Sequence, residues 1–158
     1  MNAESLSELG DLQALLPKIS QLPPDEQRDI LNLVTQLSIA RTQEKARVHF
    51  LDFVKHVWPA FIAGRHHAIM AEAFEKVARG ELKRLIINMP PRHTKSEFAS
   101  YLFPAWFLGQ YPEKKIIQTA HTAELAVNFG RKVRNLADSK DYTDIFTETK
   151  LSSDSKAA

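Results

Sequence analysis

"RLIINMPPRHTKSEFAS", residues 84–100, is the stretch on which the fold assignment turns. A short aliphatic run, Leu85-Ile86-Ile87, stops at Pro90-Pro91. Basic residues and a Lys95-Ser96 pair follow, and an apolar segment begins at Phe98. An aliphatic run this short, bounded by breakers, reads as a fully buried strand. Strand, loop and helix in that order is the arrangement of a P-loop, G-x-x-x-x-G-K-[ST]. There, backbone N–H groups and the helix N-terminus cradle phosphates, the Lys reaches the β- and γ-phosphates, and the Ser or Thr hydroxyl holds Mg²⁺. Alignment on Lys95-Ser96 puts Met89 and Thr94 at the two glycine positions, so both glycines are missing. Prolines have no N–H to donate, and any nest has to use the amides from Arg92 to Ser96. By pattern alone the better reading is an ordinary strand-to-helix turn, with Lys95 and Ser96 in an exposed first helical turn.

On either side of this stretch the chain alternates. "PPDEQRDILNLVTQL" starts a helix at Pro23-Pro24, with Asp25 and Glu26 matching the dipole and Ile30, Leu33, Val34 and Leu37 on one stripe. The charged tail Arg41–Arg47 reads as solvated. "HFLDFVKHVW" is a short aromatic helix ending before Pro59. "RHHAIMAEAFEKVARG" is a helix with Ile69, Ala73, Phe74 and Val77 inward and Gly80 as its stop. "LKRLIIN" and "KKIIQTAH" read as strands. "SEFASYLFPAWFLGQYP" is an apolar helix that Pro104 should kink or break. "TAELAVNFGRKVRNLADS" is a helix with Thr122 as N-cap, and beyond Asp141 the pattern fades. Residues 1–22 read as a short helix and a linker. Strands alternating with helices predict an α/β fold with a parallel sheet. Two strands do not finish such a sheet, so the expectation is an incomplete one.

Composition narrows the class. The chain has 158 residues, 44% hydrophobic and 25% charged, enough for one domain with a core. A net charge of +2 supplies no global field for nucleic acid, so any such contact needs a local patch. Without cysteine there is no disulfide framework and no thiolate metal site, which fits an intracellular protein. The acidic N-terminus "MNAESLSELG" does not read as a signal peptide, and no apolar run is long enough to span a bilayer.

"MPPRHTKSEFAS" resembles the deviant Walker A loop of the large terminase subunit of tailed bacteriophages. "IIQTAHTAELAVNFGRKVRNL" is similar to that family's second strand and following helix, and "FVKHVWPAFIAGRHHAIMAEAFEKVARGELKRLIIN" to its lead-in. The likeness covers roughly residues 48–150. It implies an ATP-hydrolysing motor that drives viral DNA into the procapsid, built on a P-loop NTPase core preceded by an N-terminal helical region. The implied boundaries are 1–47 for the helical region or lid and 48–158 for the first portion of the ATPase domain. It implies Pro91, Arg92, His93, Thr94, Lys95 and Ser96 as the ATP-binding loop. Lys95 would contact the β- and γ-phosphates, Arg92 would sense or stabilise the γ-phosphate, and Ser96 would ligate Mg²⁺. The Arg65–His67 tract is the candidate for adenine contact. Implied partners are double-stranded viral DNA, the portal protein, the small terminase subunit and further copies of the full-length chain, in the host cell cytoplasm and with no membrane.

Departures limit this expectation. Thr94 stands where the general motif has Gly, and a non-Gly residue resists positive φ. No aliphatic strand ending in Asp-Asp or Asp-Glu occurs between 120 and 158, so the Walker B carboxylates, the catalytic Glu and the nuclease carboxylates have no counterpart. The expectation is therefore a fragment truncated before Walker B that does not turn over ATP or cut DNA alone. The alternatives are a non-catalytic remnant that binds partners or nucleotide, and another P-loop NTPase. Elsewhere, the six histidines read as surface or packing residues rather than a metal site. Arg131, Lys132 and Arg134 read as a solvated face, with DNA backbone contact as the functional alternative. Trp58, Phe61, Trp106 and Phe107 read as core, and the Ile30–Leu37 stripe as a packing surface or a docking face for a partner.

Overall fold

The computed structural model describes residues 22–151 together with Ile19. Apart from Ile19 and Leu22, the short helix expected within residues 1–22 lies outside the described residues. The chain divides into two compact units, Met1–Arg41 and Thr42–Ala158.

Helix α1 (Pro24–Val48) begins at the proline pair, with Asp25 and Glu26 in its first turn. In the first unit, Leu33 and Leu37 remain more than half exposed, and Thr35 and Ser38 turn their hydroxyls back to the carbonyls of Leu31 and Thr35.

The second unit starts with the last turns of α1 and continues through α2 (Phe50–Val57) and α3 (Arg65–Ala78). Then come α4 (Lys95–Glu97), a π turn (Phe98–Leu102) and α5 (Phe103–Gln110), which run on without leaving helical backbone. Helices α6 (Ala123–Ala137) and α7 (Lys140–Thr143) complete it. Its core is aromatic. Phe50 is fully buried, with its ring 5.4–6.5 Å from those of Phe53, Phe74, Phe98, Phe103 and Trp106. Edge-to-face pairs of this kind add to the burial term.

Polar ties fix the frame around that core. Trp106 donates its indole N–H to the carbonyls of Ala46 and Arg47, at 3.2 and 3.1 Å, and Gln110 also donates to Arg47. Arg47 in turn donates to the Ile145 carbonyl from Nε and Nη2. The Arg41–Arg47 tail is thus not simply solvated, and Ala46 within it is fully buried. Tyr142, Ile145 and Phe146 are core residues in the region where the sequence pattern fades, and Tyr142 donates to the Ala105 carbonyl at 2.9 Å. Burial pushes the Tyr142 hydroxyl up to about 12.

The α/β class is corrected: among the described residues there is no strand, and the fold is helical. The incomplete parallel sheet and the P-loop NTPase core expected around it are not seen. The two aliphatic segments are present but do not pair, and no backbone hydrogen bond joins residues 83–90 to 115–121. The first keeps a strand's alternation. Leu85, Ile87 and Met89 pack against the core while Ile86 is 85% exposed. In the second, Ile117 is 91% exposed. A helix satisfies its backbone internally, whereas a strand exists only when a neighbour supplies the ladder.

Pro104 neither breaks the helix nor ends it. It lies just past the π turn, in which Phe103 N–H reaches back to the Phe98 carbonyl. Lacking an N–H, Pro104 cannot serve the Ser100 carbonyl. Gln118 donates to that carbonyl instead, at 2.7 Å, and so ties the second aliphatic segment to the helix. At the end of α3, Gly80 takes φ 77°, with Gly80 N–H on Val77 O and Glu81 N–H on Lys76 O. These are the two bonds of a Schellman stop. The inward face of α3 is His67, Met70, Ala71 and Phe74, and Ile69, expected inside, is 61% exposed.

Candidate phosphate-binding loop

The loop between the first aliphatic segment and α4 holds two residues in the left-handed region, Arg92 at φ 65° and Thr94 at φ 56°. Positive φ in a β-branched residue is uncommon and costs about 1–3 kcal/mol unless its surroundings impose it. Thr94 stands where the general motif has Gly, and it adopts the backbone that Gly would supply.

The surroundings that impose it are visible. Thr94 donates its hydroxyl to the His93 carbonyl at 2.7 Å, and the same oxygen lies 2.6 Å from Nε2 of His67. On the other side of the His67 ring, Nδ1 accepts from the Gly64 N–H at 2.9 Å. His67 is 6% exposed, on the inward face of α3, and packs against the rings of Phe61 and Phe98. Burial first, then the neighbouring His66 and His93, hold its pKa below the usual histidine range. The ring is therefore neutral near pH 7.

The site residues expected from the sequence sit together on this loop. Pro91, Arg92 and His93 are exposed, and His93 donates Nδ1–H to the Pro91 carbonyl at 2.9 Å. Lys95 opens α4 and is half-buried, and Ser96 beside it is exposed. Among the described residues neither Arg92 nor Lys95 has an ion-pair partner, and the backbone N–H groups from Arg92 to Ser96 donate to no protein acceptor. Free amides at the start of a helical run, with two unpaired cations, form an environment suited to a polyanion. A hydroxyl at Ser96 beside such an anion would suit Mg²⁺, which takes hard oxygen ligands and usually shares them with phosphate.

Other sequence candidates take structural roles. Lys132 is tied to Glu97 at 2.8 Å and lies 5.6 Å from the ring centres of Tyr101 and Phe129, so it docks α6 on the helix that follows the loop. Arg131 reaches only Asn128, at 3.4 Å. The His66 ring lies tilted against that of His67, 3.8 Å between centres, and edge-on to His93 at 5.9 Å. No group of three or more His, Asp or Glu among the described residues could hold a metal ion. Nor is any described helix long and apolar enough to cross a membrane.

The sequence points to His67 only as part of the Arg65–His67 adenine candidate, not as a support of the loop. A usable signal existed in the spacing Gly64-x-x-His67, which matches N-cap to N3 of a capping box with the imidazole in place of Glu or Gln. Its link to Thr94 spans 27 positions and was not legible from sequence. Comparison of the chain with protein-family models, with curated proteins and with solved structures finds no match.

Proposed function

We propose that residues 91–96 bind the phosphates of ATP, as part of a DNA-packaging motor of the terminase large-subunit kind. The observation that carries the reading is the left-handed pair Arg92 and Thr94, immediately ahead of Lys95, with the amides from Arg92 to Ser96 unspent. An observed backbone outlier of this kind is a pointer to function. In this reading Lys95 contacts the β- and γ-phosphates, Arg92 lies against the γ-phosphate and Ser96 contributes to Mg²⁺. Pro91 sets the entry to the loop, and His93 and Thr94 offer their amides. Charge placed on the transferring group is what phosphoryl transfer requires of a protein.

The family resemblance supplies the rest of the proposal. ATP hydrolysis and translocation of double-stranded viral DNA belong to the motor as a whole, together with the portal protein, the small terminase subunit, further copies of the subunit and the host cytoplasm. For the residues described, the proposal is phosphate binding.

Titration of the full chain with Mg-ATP, followed by calorimetry, tests it. Binding should weaken in the order ATP, ADP, AMP, and Lys95→Ala should abolish it. An unchanged titration in Lys95→Ala overturns the assignment.

A further inference from the structure

We propose that His67 is a positioning residue for the phosphate loop: it holds Thr94 in the left-handed backbone that a glycine would otherwise provide. The proposal rests on the phosphate-binding reading for its purpose, but the latch itself stands on geometry.

The proton arrangement follows from the partners. A backbone N–H can only donate, so Gly64 fixes His67 Nδ1 as an acceptor. In a neutral ring the proton then sits on Nε2. A carbonyl can only accept, so the Thr94 hydroxyl gives its hydrogen to His93 O. Its oxygen is left to accept from His67 Nε2–H. The chain Gly64 N–H to Nδ1, Nε2–H to Thr94 Oγ1, and Oγ1–H to His93 O satisfies each partner in one direction only. It joins the first turn of α3 to the loop residue directly before Lys95. Glycine at position 94 would need no such support, since it enters the left-handed region freely. Threonine needs it, and its hydroxyl is the handle by which it is held.

A double-mutant cycle separates the latch from its purpose. His67→Leu should weaken Mg-ATP binding on the order of tenfold in the natural Thr94 background, as expected for the loss of one support of a strained residue. In a Thr94→Gly background the same substitution should change binding less than about twofold. Equal losses in both backgrounds would show that His67 acts on nucleotide or on the fold directly, and would overturn the proposal. So would no loss in the Thr94 background. His67→Gln, which keeps a terminal N–H donor, should recover part of the loss.

Two readouts need no nucleotide. The thermal midpoints of the same four proteins should be non-additive, and additivity overturns the latch. In the unmutated chain, ¹⁵N NMR of the His67 ring should show a bare Nδ1 and a protonated Nε2, and the opposite tautomer overturns it. If these hold while Lys95→Ala leaves ATP titration unchanged, the phosphate reading fails and with it the purpose assigned to His67. If Lys95→Ala abolishes binding while positions 67 and 94 prove independent, the phosphate reading stands and the latch falls.

Discussion

The aromatic core around Phe50 and the aliphatic segments at Leu85–Ile87 and Ile116–Ile117 are made of comparably apolar residues, yet the core is buried throughout while the segments leave some of their largest side chains in solvent. Phe50, Phe53 and Phe98 are fully buried, while Ile86 and Ile117 are 85% and 91% exposed. The difference lies in the backbone rather than the side chains. Around Phe50 each helix closes its own hydrogen bonds and needs its neighbours only for packing. The aliphatic segments need a ladder to become strands, and none is present among the described residues. Hydrophobicity alone therefore does not decide burial; the backbone must first be satisfied.

That contrast can be broken most directly at its buried side. Phe50→Ala should cost about 3–5 kcal/mol, enough to unfold much of the second unit, because the ring touches five aromatic neighbours and the cavity cannot collapse around them. Urea denaturation followed by tryptophan fluorescence measures it. A loss below about 1 kcal/mol would mean that the cluster packs loosely. Next in size is Trp106→Phe. It keeps the ring but removes the N–H shared by the Ala46 and Arg47 carbonyls, and should cost about 1–2 kcal/mol by the same denaturation, followed by circular dichroism.

A smaller, pH-dependent effect sharpens the comparison at the loop. The His67 pKa is depressed in the folded chain, so above about pH 6.5 the ring is neutral whether folded or not. As pH falls below that value the unfolded chain takes up a proton that the folded chain resists, and stability declines until pH passes the folded value. His66, His93 and the Gly64 N–H face the ring from the polar side, and none of them favours a charged imidazole. Thermal midpoints in this acid range should fall less steeply in His67→Gln. The least effect belongs to the exposed aliphatics. Ile117→Ser should shift stability by no more than about 0.5 kcal/mol, and a larger loss would reveal a partner for that segment.

The sequence was informative wherever a local rule determines structure. Pro23-Pro24 with Asp25 and Glu26 marked the start of α1, Gly80 marked the end of α3, and Thr122 caps α6, accepting from Leu125 N–H at 3.3 Å. Each depends on residues within one or two turns. The strand expectation fails because "LKRLIIN" and "KKIIQTAH" have the composition of buried strands, and composition carries no information about whether a ladder partner is at hand. Alternation at Leu85, Ile86 and Ile87 survived even so, since one face still meets the core. Helix α7 left no signal because it is a single turn, Lys140–Thr143, with Tyr142 as its one buried residue, too short to show a period. At the loop, the place of Lys95 and Ser96 in the first turn of a helix was readable from the sequence. The means of holding Thr94 was not, because it lies in a helix wrapped back from far upstream.

The π turn at Phe98–Leu102 has a consequence for angular phase. On a uniform α-helix, residues eight apart drift by about 80°. Through a turn closed by i→i+5 bonds each residue advances by only about 82°, and this cancels most of the drift. Phe98 and Trp106 can thereby both point at Phe50 although they stand on either side of Pro104. The wide turn works as a vernier. Wound as a uniform α-helix with every residue kept, the same segment would turn everything before it by about 80°, swinging Phe98 off the aromatic cluster and turning Lys95 and its loop to another side.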